Sequence, residues 1–258
     1  MPAGPLETAA VGLVAGVLSG AFGVGGGVIT TPAIRLLLGY SDLVAVGTPL
    51  PVIVPTAIAG AWSYTRRGLV DTRAGIAIGL IGAPTSVAGA WLTSYFGGKV
   101  VLLVTAVLIA YMAVDTFAQA MRSPAARAAP ITDKHPRRGV ALVAVGLMAG
   151  FYSGFLGLGG GFLVVPILTR WFGMDIKRAI GTSLTAVALL AIPGGIAHSA
   201  LGHVDWELAG LLALGVIPGA LLGARLTQRA SERWVGVAFA ALLLFTGIVL
   251  AASELGWL

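Results

Sequence analysis

The sequence contains no cysteine. Disulfides, thiolate nucleophiles and cysteine metal sites are thereby excluded. Charge is also scarce: 10% of the 258 residues are charged and three are histidine, against 57% hydrophobic. Residues 234 to 252 carry no charge, and 74 to 96 and 100 to 114 are almost as apolar. About 20 apolar residues suffice to cross the hydrocarbon region, so the chain reads as an all-α, polytopic integral membrane protein. No Walker motif follows any glycine run, and the histidines fall at or beyond segment ends. With no nucleophile–base pair or ligand set at membrane depth, the expectation is a non-enzyme without cofactor or metal. The net charge of +6 sits in short loops between apolar segments, which points to membrane topology rather than to nucleic acid. Glu7 and the lack of a basic stretch before the first segment predict that this segment is retained.

What is abundant is glycine, and it is placed twice in the same way. Gly20-Ala-Phe-Gly-Val-Gly-Gly-Gly27 recurs 134 residues later as Gly154-Phe-Leu-Gly-Leu-Gly-Gly-Gly161. The match runs without a gap: Ser19 with Ser153, Pro32 with Pro166, Gly47-Thr48 with Gly181-Thr182, Asp71 with Asp205, Pro84 with Pro218. A duplicated, glycine-broken apolar unit is the mark of a repeat-built transporter. Residues 1–119 form the first repeat, 120–138 a basic, proline-containing linker, and 139–258 the second.

Each repeat holds five apolar segments, at about 8–22, 28–38, 43–65, 74–96 and 100–119, then 139–156, 162–172, 179–200, 207–226 and 234–252. The second of each five covers only about half of a 30 Å core. With its predecessor it reads as a hairpin or broken helix tipped by glycines, which gives eight to ten membrane segments. Placing the linker in the cytoplasm also puts Arg66, Arg67, Arg73, Arg170, Lys177, Arg178, Arg225, Arg229 and Arg233 there. Only Arg35 and Lys99 remain on the other side. Both termini then lie outside the cytoplasm. An odd segment count per half inserts the second repeat upside down, so the repeats are expected to be inverted.

The glycine runs do not fit a dinucleotide loop, which needs Gly-x-Gly-x-x-Gly after a strand. In a membrane they do something else. Amides at a helix start lack an intrahelical partner and carry the positive end of the helix dipole. Glycine lets a solute approach that backbone. Two such tips, Gly25, Gly26 and Gly27 with Gly159, Gly160 and Gly161, form an expected anion pocket near the midplane. The hydroxyls of Ser19, Ser153, Thr48, Thr182 and Ser183 are candidate donors beside them. The competing explanations are close helix packing through small residues and local hydroxyl-to-carbonyl bonds. Asp115, His198, Arg35 and the cluster His203, Asp205 and Glu207 are weaker candidates. Trp62, Tyr64, Trp171, Trp206 and Trp257 are placed as an interfacial aromatic belt.

The doubled Gly-x-Gly-Gly-Gly, the prolines Pro32 and Pro166 at equal distance, and the Ala-x-Gly-Thr-Pro/Ser elements at 45–49 and 179–183 resemble the TauE/SafE family of sulfite exporters. The resemblance covers almost the whole chain. Pro49 stands where the second copy has Ser183, so the two positions are not equivalent. The resemblance implies secondary transport of sulfite or a related small sulfur-containing anion across the cytoplasmic membrane, outward, by alternating access. Protons are a candidate coupling ion, since sulfite titrates near neutrality. Transport of sulfonates, thiosulfate or other organic anions, and a passive anion channel, are the alternatives.

Overall fold

The computed structural model describes residues 4–121 and 138–254, and every regular element among them is helical. The linker expected at 120–138 and Trp257 lie mostly or wholly outside the described residues. The helices are α1 (Pro5–Phe22), α2 (Gly27–Pro32) running into a π-helical turn (Ala33–Leu37), α3 (Asp42–Gly47), α4 (Pro49–Thr65), α5 (Thr72–Met121), α6 (Arg138–Leu156), α7 (Gly161–Trp171), α8 (Ile176–Ala200), α9 (Trp206–Arg229) and α10 (Glu232–Glu254). Eight stretches among the described residues are long and apolar enough to span a bilayer; Gly27–Leu37 and Gly161–Trp171 are too short. The protein is an all-α, multi-pass membrane protein.

Two boundaries differ from the sequence expectation. The third segment is two helices, α3 and α4, which meet where Pro49 has no amide to donate. The fourth and fifth segments form one continuous helix, α5. A straight helix of 50 residues would measure about 75 Å, and α5 contains two span-length windows, Thr72–Phe96 and Leu103–Met121.

Lipid offers no hydrophobic drive between helices, so close backbone approach must supply the packing. Gly12, Gly16 and Gly20 of α1 lie against the backbone of Leu212, Val216 and Ala220 of α9. Gly146, Gly150 and Gly154 of α6 lie in the same way against Ile78, Gly82 and Ser86 of α5. The second set is the first with 134 added to one partner and subtracted from the other. Hydroxyl-to-carbonyl bonds tie the bundle further: Ser86 to Leu190 at 3.0 Å, Thr93 to Phe155 at 2.9 Å. Each such bond between membrane helices is worth about 0.6–2 kcal/mol. Outward, Leu80, Val107, Val114, Val140, Leu214 and Phe245 are exposed, as a lipid-facing surface requires.

Helices α4 and α8, equivalent in the repeat, pack on each other in opposite directions: Gly60 meets Leu184, and Gly194 meets Leu50. Helices α1 and α9 run in the same direction, since contacts advance together along both.

Candidate functional site at two facing glycine tips

Helix α1 stops at Gly23, which is left-handed (φ 74°) and whose amide donates to the Ser19 carbonyl at 2.8 Å. Gly25 (φ 81°) and Gly26 (φ 99°) then reverse the chain into α2. Gly157 (φ 67°), Gly159 (φ 79°) and Gly160 (φ 72°) do the same between α6 and α7. Side-chain-bearing residues rarely adopt these angles, which is why the motif is glycine at these positions in both copies.

The two tips touch. A Cβ on Gly27 would lie 2.5 Å from Leu158 Cα, and one on Gly161 would lie 2.8 Å from Val24 Cα. The starts of α2 and α7 therefore lie together; the Ile29 and Leu163 amides donate to the Gly26 and Gly160 carbonyls, which leaves the first two amides of each helix without an intrahelical partner. Ile53 of α4 and Val187 of α8 close over both tips: each approaches the positions a Cβ would take on Gly25 and on Gly159. Val24, Leu158, Ser19 and Ser153 are all fully buried, so the tips are sealed from both faces.

The expected hydroxyls divide into two groups. Ser19 and Ser153 are buried beside the tips, and among the described residues neither Oγ has a hydrogen-bond partner. Ser19 Oγ lies 3.8 Å from the point where a Gly26 Cβ would stand. A hydroxyl left unpaired in a protein interior costs about 1–3 kcal/mol, and these two, at equivalent positions, are available to donate to a ligand. Thr31, also buried and unpaired, lies on α2; the repeat carries no signal for it, because Val165 stands at the matching position. Thr48, Thr182 and Ser183 are instead committed within the fold. Thr48 Oγ1 accepts from the Asp205 amide at 3.0 Å, and Thr182 Oγ1 from the Asp71 amide at 2.8 Å. Ser183 Oγ donates to the Gly23 carbonyl at 2.9 Å, a bond that Pro49 cannot make in the other half. Ile53 and Val187 were also missed, although they match at the same offset of 134.

Two of the weaker candidates are ion-paired. Asp115 pairs with Arg170 and accepts from Gln119 at 2.6 Å. Arg35 pairs with Asp42. Tyr64 does not join the aromatic belt: it is fully buried and donates to the Gly20 carbonyl at 3.1 Å. Trp62 and Trp206 are exposed at span ends, as a belt requires, and Arg66 stacks over Trp62 at 4.4 Å. The cluster His203, Asp205 and Glu207 is not among any set of three or more ligands placed to hold a metal in the described residues.

The family described as Sulfite exporter TauE/SafE matches residues 8–250. The chain belongs to the TauE/SafE family. Among its relatives, the "Probable membrane transporter protein YunE" of Bacillus subtilis is 27% identical over 84% of each chain. YjnA of the same organism, of like description, is 28% identical over 93% of this chain and 97% of its own. MJ0441 of Methanocaldococcus jannaschii is 26% identical over 92% of each. No solved structure matches. This TauE/SafE protein is a membrane transporter, and the sealed glycine tips are its candidate solute site.

Proposed function

We propose that the protein moves sulfite or a related small sulfur oxyanion across the cytoplasmic membrane by alternating access, as an exporter, and that the solute is held at the facing starts of α2 and α7. The observation that carries this reading is the contact between the two tips, with two unpaired serine hydroxyls buried beside them. Helix-start amides favour an anion without bringing a charged side chain into the bilayer. The family's description supplies the substrate class. Protons are the proposed coupling ion.

The proposal includes two oppositely inserted repeats, 1–119 and 139–258, joined by a cytoplasmic linker at 120–138. What supports it is the exchange of contacts at a constant offset, and the antiparallel packing of α4 on its counterpart α8. A two-fold axis relating two antiparallel helices crosses them, and across spanning helices such an axis lies in the membrane plane. The cysteine-free chain makes orientation simple to test. A single cysteine replacing Arg67 is expected to react with an impermeant maleimide only after cells are opened, and one replacing Leu37 in intact cells. The reverse pattern would refute the orientation.

Transport is tested by loading purified protein into liposomes and following uptake of sulfite, thiosulfate and a sulfonate, with and without a proton gradient. Saturable, gradient-sensitive flux of at least one is expected. Fast, non-saturating flux indifferent to the gradient would favour the anion channel.

A further inference from the structure

The contacts of the two halves match closely, and one departure is chemical. Tyr64 and His198 occupy equivalent positions and fill the same slot. Tyr64 donates to the Gly20 carbonyl, and His198 Nε2 stands 2.8 Å from the equivalent carbonyl, Gly154. Beside them, Leu69 is matched by His203. His203 Nδ1 lies 3.1 Å from His198 Nδ1, with His198 fully buried and His203 7% exposed. Tyrosine and leucine satisfy this packing in one half; what the histidine pair adds is basic ring nitrogen that can take up a proton.

The geometry fixes where the protons are. A carbonyl only accepts, so His198 Nε2 carries a hydrogen and its Nδ1, when neutral, is bare. The contact between the two Nδ1 atoms then requires His203 Nδ1 to be the donor. His203 Nε2 is left with a free lone pair. One further proton can bind there without breaking any bond. A second would set two N–H groups against each other at Nδ1 and force the rings apart.

We propose that His198 and His203 form a one-proton acceptor, and that this is the coupling-proton site of the transporter. The second clause rests on the transport reading above; the first does not. The pair is tied to the backbone next to one tip turn and to the start of α4. His203 donates its amide to the His198 carbonyl at 2.9 Å and packs its backbone on Gly47, beside Thr48. His198 holds Gly154, three residues before the tip turn at Gly157. The charged and titratable groups around it are few. Asp205 and Glu207 lie on the same loop and on α9. Asp42, paired with Arg35, is on α3, and Tyr40 precedes it. Tyr152 is on α6. Helix α5 passes Gly154 at Ser86 and Ala90 and carries no ionisable residue between Arg73 and Tyr95.

Burial lowers the His203 pKa below the ordinary histidine value. The folded protein therefore binds this proton less readily than the unfolded chain. Stability is expected to be fully present above the unfolded value of about 6.5 and to decline as pH falls below it. The melting temperature in detergent should drop on acidification, and less so in His203→Leu.

Two experiments test the proposal. In full-length protein labelled with 15N-histidine in nanodiscs, His198 and His203 should titrate together and bind one proton from about pH 8 to about pH 5. Two independent steps, or no uptake, would overturn it. The double variant His198→Tyr, His203→Leu copies the first half and keeps the donor to Gly154. In liposomes it should lose the stimulation of sulfite uptake by a proton gradient and retain uptake at equal pH. The single variant His203→Leu should do the same where the double fails to insert. Retained gradient stimulation would overturn the proposal. Should the unaltered protein move no sulfite, the transport reading fails separately, and the titration still decides whether the pair binds its proton.

Discussion

Replacing Gly27 or Gly161 by alanine is expected to reduce flux on the order of 100-fold, the scale associated with displacing a reacting group by about 1 Å. The added methyl meets backbone rather than a yielding side chain: Leu158 Cα at 2.5 Å from Gly27, Val24 Cα at 2.8 Å from Gly161. Ordinary contact needs nearly an ångström more, and the opposing tip is the thing that must move. The stability cost of such overpacking is about 1–3 kcal/mol, which leaves room for the variants to insert. Gly210→Ala is the control. Its methyl meets nothing within 4 Å, and a helical alanine stabilises by up to about 1 kcal/mol relative to glycine. Uptake assays on matched amounts of inserted protein separate the two; equal flux in all three variants would remove the tips from the mechanism.

Ser19→Ala and Ser153→Ala are expected to act in opposite directions on stability and on transport. Neither hydroxyl has a partner among the described residues, so removing one relieves a buried, unsatisfied group and should leave the melting temperature unchanged or raised. If both hydroxyls donate to a bound oxyanion, each bond to a charged acceptor is worth about 1.5–3 kcal/mol. The double variant should then bind sulfite at least about 100-fold more weakly. A pure packing role predicts the opposite: no change in affinity. Thr48→Val and Thr182→Val should instead lower stability, because each leaves a loop amide, of Asp205 or Asp71, without its acceptor. Thermal melts beside binding curves distinguish the two pairs of residues.

Much of the fold was legible because hydrophobic run length and repetition survive without coordinates. The shortness of Gly27–Leu37 and Gly161–Trp171 was readable from length against bilayer thickness. The tip turns were readable because repeated positive-φ positions demand glycine in both copies. The roles of the hydroxyls were not. Ser19 and Thr48 look alike in sequence, and only the position of the Asp205 amide shows that one is bonded and the other is not. Tyr64 was misplaced because an aromatic near a span end suits an interface. Its burial depends on the Gly20 carbonyl, 44 residues away. Continuity of α5 through residues 97–98 was hidden by a Gly-Gly pair that reads as a break. Ile53 and Val187 look like ordinary core residues, and their place over the tips follows only from how α4 and α8 cross.

The most direct measurement is a cryo-EM map of the full chain in nanodiscs with saturating sulfite or thiosulfate. Density for the anion is expected between the first turns of α2 and α7, within hydrogen-bond reach of the Ser19 and Ser153 hydroxyls. Anion density elsewhere in the bundle, with the tips still packed on each other and both serines unpaired, would contradict the account.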